Sequence, residues 1–203
     1  DDLNSAKFKE GLLDVLSLSK GEGLLKTGSI QAQSGRMAYN YIKKAVELAI
    51  KKELKAIVTA PIHKEAIRAA GIKEIDHTEI LAELTGIKDP LTMFETGNLR
   101  IFFLSRHLSL KKACEEVKKA KIENYSKRII GLLENLGFIK PSLAIAALNP
   151  HGGESGLFGD EEMKELLPAI NNLKADGYKV IGPVPADSVF YKALMGDYTA
   201  VLY

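Results

Sequence analysis

The sequence predicts an α/β protein organised around a mostly parallel sheet. Short aliphatic or β-branched runs recur along the chain, segments with apolar residues at spacings of three and four separate them, and glycines fall where those segments stop. Such an alternation buries a sheet under helices, because each element offers one apolar face that needs cover.

Taken in order, residues 11 to 18 (GLLDVLSL) are expected to form a strand, and GEG with TGS a loop reaching about Gln31. From there to Lys52, Met37, Ala38, Tyr41, Ile42, Ala45, Leu48 and Ala49 mark one face of a long amphipathic helix. LKAIVTAP reads as a buried strand halted by Pro61, which has no N–H for a ladder. HKEAIRAAG and HTEILAELTG are short helices closed by Gly71 and Gly86, where a left-handed C-cap would sit. A linker through Asp89 and Pro90 leads to strands around LTMFE and RIFFLS, then to helices near 109 to 119 and 122 to 136 that stop at Gly137. SLAIAALNP is strand-like. Asp160 to Ala175 is helical, with Asp160, Glu161 and Glu162 in the first turn, where the helix dipole favours negative charge. YKVIGP and TAVLY complete the strands.

Bulk properties narrow the function classes. The 203 residues suffice for one substantial core, so one compact unit, or a piece of a larger one, is expected. With 28 basic and 26 acidic side chains the net charge is +2, and lysines alternate with glutamates as in KKAVELAIKKELK, a solvated helix face rather than a nucleic-acid track. The single cysteine, Cys114, excludes an intrachain disulfide and fits a small half-buried helix residue in a reducing, intracellular setting. No apolar run approaches the length of a membrane span. The chain opens on Asp1-Asp2 and stops in a strand-like run, which points to a fragment.

Ligands of open α/β sheets gather beyond the carboxyl ends of the strands. Three histidines follow strand-like runs closely: His63, His107 and His151. Two imidazoles from neighbouring strand ends could share a metal, though ordinary loop histidines would look the same. The glycine-rich turn around His151 could cradle an anion at a helix opening, but it lacks the P-loop lysine, and Glu154 and Asp160 to Glu162 would repel phosphate. His77 and Thr78 open a helix, where Thr78 can cap and both side chains could bind an anion. Asp187, after two prolines, is either a cap or, as a carboxylate at a strand end, a base or a metal partner.

Five segments in order, IVTAPIHKEAI, DHTEILAELTG, SRHLSL, LNPHGGESGLFGDEE and GPVPADSVF, resemble the PdxA family of 4-hydroxythreonine-4-phosphate dehydrogenases and relatives that act on D-threonate or D-erythronate 4-phosphate. The resemblance covers nearly the whole chain as a central portion of the family fold. It implies a three-layer fold like that of the isocitrate and isopropylmalate dehydrogenases, with helices on both sheet faces, and a homodimer sharing its active sites. It implies NAD- or NADP-dependent oxidation of a phosphorylated hydroxy acid, with decarboxylation following, aided by a divalent metal such as Zn, Mg, Co or Mn. His107 and His151 match two of the family's three metal-binding histidines, and His77 and Thr78 match its substrate-binding pair. His63, Lys64 and Asp187 match positions near the pocket, and Asp187, Lys64 or a bound water is the candidate for the catalytic base; cofactor-binding residues are not identified. Three departures stand out. Asp76 replaces the family's glycine before His-Thr, the early PGDPxGIGPE segment is missing, and the chain stops before YHDQG, source of the third histidine. The alternative is therefore a non-catalytic metal-binding module.

Overall fold

A helix forms where the apolar spacing predicts one: α1 (Ala32–Ile50) buries Ile42 and Leu48 of the predicted face together with Val46, which lay outside it, while Tyr41 of that face is exposed. The computed structural model describes residues 3–18 and 25–203, so the predicted GEG turn lies outside the described residues. Two compact units make up the chain, Asp1–Pro90 and Leu91–Tyr203, where composition suggested one. They meet in sequence at the Asp89-Pro90 linker.

In the first unit α1 packs on α2 (Lys64–Ala69) through Gly35, whose missing side chain lets the Ala66 carbonyl approach. The Arg36 guanidinium donates to the Ala70 carbonyl, tying the same two helices together. Ile80 of α3 (His77–Thr85) is fully buried with Ile42 and Val46. Gly86 closes α3 at φ 69°, the left-handed cap that its position foretold.

Two predicted strands do not form in this unit. Residues 11–18 and 54–60 carry no ladder; Leu13 is 88% and Val58 97% exposed, while Ile57 packs partly buried against Ile42 and Val46. A strand exists only where a neighbour satisfies its N–H and C=O groups, and among the described residues the first unit holds no strand to pair with. Propensity alone did not suffice. His63 consequently does not follow a strand; it is the N-cap residue of α2.

The second unit contains the sheet. β1 (Met93–Thr96) and β2 (Leu99–Phe102) form a hairpin, and β2, β3 (Leu143–Ala146), β4 (Val180–Val184) and β5 (Ala200–Leu202) are parallel, in the order β1-β2-β5-β3-β4. All four parallel strands thus point their carboxyl ends to one edge. Alternate residues of β3 serve the two faces. Leu143 and Ile145 pack with α5 (Lys119–Asn135) and α6 (Leu167–Ala175), whereas Ala144 and Ala146 pack with Val189 and Ala193 of α7 (Ala186–Leu194). Large aliphatics such as Ile129, Leu133, Ile170 and Leu173 are completely covered on the first face, each contributing about 1.5–3 kcal/mol. Cys114 is half-buried in α4 (Leu110–Glu115), as its helical context implied.

Candidate functional site

Each unit holds part of the candidate residue set, and each part is built by local structure. In the second unit, His107 follows β2, His151 follows β3 and Asp187 lies in the first turn of α7 just after β4. All three sit at the carboxyl edge. β2 and β3 flank β5, so their axes lie about 10 Å apart. His107 and His151 are exposed, and both have left-handed backbone, at φ 55° and 53°. Asp187 is exposed too and does not cap α7, whose N-cap residue is Pro185.

The loop around His151 is unusual. Five consecutive residues, His151 to Ser155, have positive φ between 40° and 78°, and three of them are not glycine. L-residues avoid this region at about 1–2 kcal/mol each, and such outliers persist only where surrounding structure holds them. The holding group is Glu162, which is 2% exposed. Its Oε1 accepts from the Leu148 amide at 2.9 Å and the Asn149 amide at 2.7 Å, while its Oε2 accepts from Asn149 Nδ2 at 2.8 Å. The same Nδ2 also donates to Glu161 Oε2 at 2.7 Å. Burial would push the Glu162 carboxyl up, but the bonds from the Asn149 side chain and the backbone amides outweigh it and hold it below the ordinary carboxylate value.

Glu162 is the residue that sequence reasoning missed. The run Asp160 to Glu162 looked like charge placed for the helix dipole, yet Glu162 turns inward from a π-helical turn (Glu162–Leu166) to grip the loop 13 residues back. A signal was available: Glu162 shares its stripe with Leu166, Ala169 and Leu173, so a carboxylate stood on the apolar side. Asp160, by contrast, pairs with Lys164.

Next to this edge lies an apolar cavity of about 270 Å³, whose wall includes Leu104, Ser105, Cys114, Ala147, Leu148 and Tyr203. None of His107, His151 or Asp187 lines it. No group of three or more His, Cys, Asp or Glu that could hold a metal occurs among the described residues. The two exposed imidazoles fit part of a metal shell by the chemistry of their donors, and further ligands would have to come from outside the described residues or from substrate.

In the first unit, His77 opens α3 and lines a cavity of about 280 Å³ with Tyr41, Thr59 and Pro61. Its Nε2 is buried and has no hydrogen-bond partner among the described residues. A buried polar atom left unpaired costs about 1–3 kcal/mol, which makes this nitrogen the natural contact for a polar ligand. Thr78 is not the cap: Asp76 is, accepting from the Glu79 amide at 2.9 Å, while Glu79 Oε2 accepts from the Ile75 amide at 3.0 Å. Asp76 also lies 4.0 Å from Lys64 Nζ, so this carboxylate is partnered by both the helix start and a cation. Lys64 and His63 are exposed and lie outside the cavity lining.

Comparison with known proteins decides the family. A model of the "Pyridoxal phosphate biosynthetic protein PdxA" family matches residues 2–203. The chain belongs to the PdxA family. It is 51% identical over 197 residues to a protein of Symbiobacterium thermophilum provisionally named D-threonate 4-phosphate dehydrogenase, covering 97% of this chain and 59% of that one. Among solved structures, a 4-hydroxythreonine-4-phosphate dehydrogenase from Burkholderia phymatum superimposes with TM-score 0.89 at 36% identity, over 99% of this chain and 61% of that chain. The Klebsiella pneumoniae enzyme of the same name gives TM-score 0.82 at 38% identity, over 88% and 54%. This PdxA-family chain thus spans about 60% of the length of the curated relatives it matches.

Proposed function

We propose that this PdxA-family protein is a dehydrogenase that oxidises a secondary alcohol of a four-carbon phosphorylated hydroxy acid, with NAD or NADP as hydride acceptor and decarboxylation following. D-threonate 4-phosphate or a close isomer is the preferred substrate, ahead of 4-phosphohydroxy-L-threonine. Support for that order is the higher identity to the relative named for D-threonate 4-phosphate than to the solved proteins named for 4-hydroxythreonine-4-phosphate, 51% against 36%, 38% and 40%. The three-layer arrangement of the isocitrate and isopropylmalate dehydrogenases, a homodimer with shared sites and a cytoplasmic location belong to the same reading; no helix among the described residues is long and apolar enough to cross a membrane.

The observation that carries the site is the left-handed run at His151, held by a buried carboxylate at the sheet edge where ligands gather. In this reading His107 and His151 each offer a neutral imidazole nitrogen to a divalent ion, Zn, Mg, Co or Mn. When bound, the metal supplies charge stabilisation at the reacting oxygen and the nicotinamide accepts the hydride. His77 Nε2 and the Thr78 hydroxyl bind substrate oxygens. Lys64 and Asp187 are the candidates to take the hydroxyl proton, and both are exposed enough to pass it on to water.

Assaying the full-length protein for NAD(P)H formation with D-threonate, D-erythronate and 4-hydroxythreonine phosphates tests the proposal. Formation with the first or second and little with the third is expected. No NAD(P)H with any of them would refute the enzyme assignment.

A further inference from the structure

We propose that Glu162 is a positioning residue for His151: with Asn149 it clamps the start of the loop and thereby sets where the imidazole stands. The inference rests on the reading of His151 as a metal ligand.

His151 is exposed, so side-chain packing does little to fix it, and its place must come from the backbone beneath. That backbone is anchored two residues earlier. Both Asn149 amide protons are used by carboxylates, of Glu161 and Glu162, and its main-chain N–H is used by Glu162 as well. From that fixed point the chain passes only Pro150, whose φ is locked by its ring, before reaching His151. Beyond it, the Gly152 amide returns to the Asn149 carbonyl at 3.1 Å and the Phe158 amide to the Gly153 carbonyl at 3.2 Å.

The glycines of the loop are fitted to the clamp. A Cβ on Gly153 would lie 2.8 Å from Glu162 Oε2, and one on Gly159 would lie 2.5 Å from Asn149 Nδ2. The loop therefore lies directly against the carboxylate and amide that hold it.

The charge of Glu162 matters as much as its shape. In Glu162→Gln the amide oxygen can keep the two backbone bonds, but the new NH2 then faces Asn149 Nδ2, donor against donor. Rotating the Asn149 amide to repair this turns its oxygen toward Glu161 Oε2, acceptor against acceptor. Either way one arm of the clamp opens, while the volume under the loop is unchanged. Groups that orient a metal ligand from behind typically govern about 10–100-fold in metal affinity.

The test uses the full-length protein stripped of metal and titrated with Co²⁺, reading both affinity and the visible ligand-field spectrum. Measurements are made well below the unfolding temperature, and near-UV circular dichroism verifies an intact fold. Native protein, His151→Ala and Glu162→Gln are compared. Glu162→Gln should bind Co²⁺ about 10–100-fold more weakly with an altered spectrum. If His151→Ala weakens binding and Glu162→Gln keeps native affinity and spectrum, the positioning role is wrong while the ligand reading stands. If the native protein takes up no Co²⁺, or His151→Ala binds as well as native, the ligand reading fails and this inference falls with it. Should Glu162→Gln not fold, Asn149→Ala, which removes the amide shared by the two carboxylates, takes its place under the same criteria.

Discussion

Alanine at Gly153 and at Gly152 should have different consequences, although both glycines have left-handed backbone, at φ 78° and 67°. Each substitution pays the conformational cost of a Cβ in that region, about 1–2 kcal/mol. At Gly152 that is all, because the nearest atom to a new Cβ is Ala147 Cβ at 4.0 Å, ordinary contact. At Gly153 the Cβ would approach Glu162 Oε2 to 2.8 Å and the Gly159 carbonyl oxygen to 3.0 Å, so the carboxylate must retreat from Asn149. Losing a hydrogen bond to a charged group adds about 1.5–3 kcal/mol, for a total of about 2.5–5 kcal/mol. Native-state hydrogen exchange at the β3 amides reads the opening free energy of the second unit by itself. Equal destabilisation by the two alanines, within about 0.5 kcal/mol, would refute the close-contact argument.

Three further outcomes are expected. Gly35→Ala places a methyl group on the Ala66 carbonyl and must push α1 from α2, costing about 1–3 kcal/mol or more, measurable by urea unfolding of the first unit's helices. Ser126 is fully buried in α5 with its hydroxyl unpaired among the described residues, so Ser126→Ala should leave stability unchanged or raise it by about 1 kcal/mol; a loss of comparable size would reveal a partner for the hydroxyl. Glu162 has a lowered folded pKa, so its ionised contribution is fully present above the unfolded value of about 4.3 and is lost as pH falls through the folded one. The stability gap between native protein and Glu162→Gln should accordingly be constant near neutrality and narrow below about pH 4; a gap that widens on acidification would contradict the sign.

Helices were legible where periodicity and caps agreed. α1 carried an unbroken apolar stripe, and Gly71, Gly86 and Gly137 stood at helix ends with positive φ. The strands at 93 to 102, 143, 180 and 200 were legible because each has at least one neighbour in the sheet to satisfy its ladder. Residues 11–18 and 54–60 had the same local composition without such a partner, and composition does not encode the partner. Within the candidate site, the histidines after strands announced themselves by position. The helix cap at Asp76 and the inward turn of Glu162 did not. The turn of Glu162 depends on a contact outside the local pattern, an asparagine across a glycine loop, whereas the Asp76 cap is local, a capping box with Glu79 three residues on, whose signal Thr78 obscured.

The strand order β1-β2-β5-β3-β4 also bears on how the protein is made. Ile101 pairs with Val201, so the sheet cannot close until a ribosome has delivered segments separated by 100 positions. Until then the nascent chain has a β1-β2 ribbon and a β3-β4 ribbon, each with a bare edge reserved for the same late arrival. Unpaired edges of this kind invite neighbouring chains, and such long-range pairing slows assembly. Among the described strands β5 is synthesised after the other four and joins the two halves, so the interval before its synthesis leaves both edges exposed to aggregation.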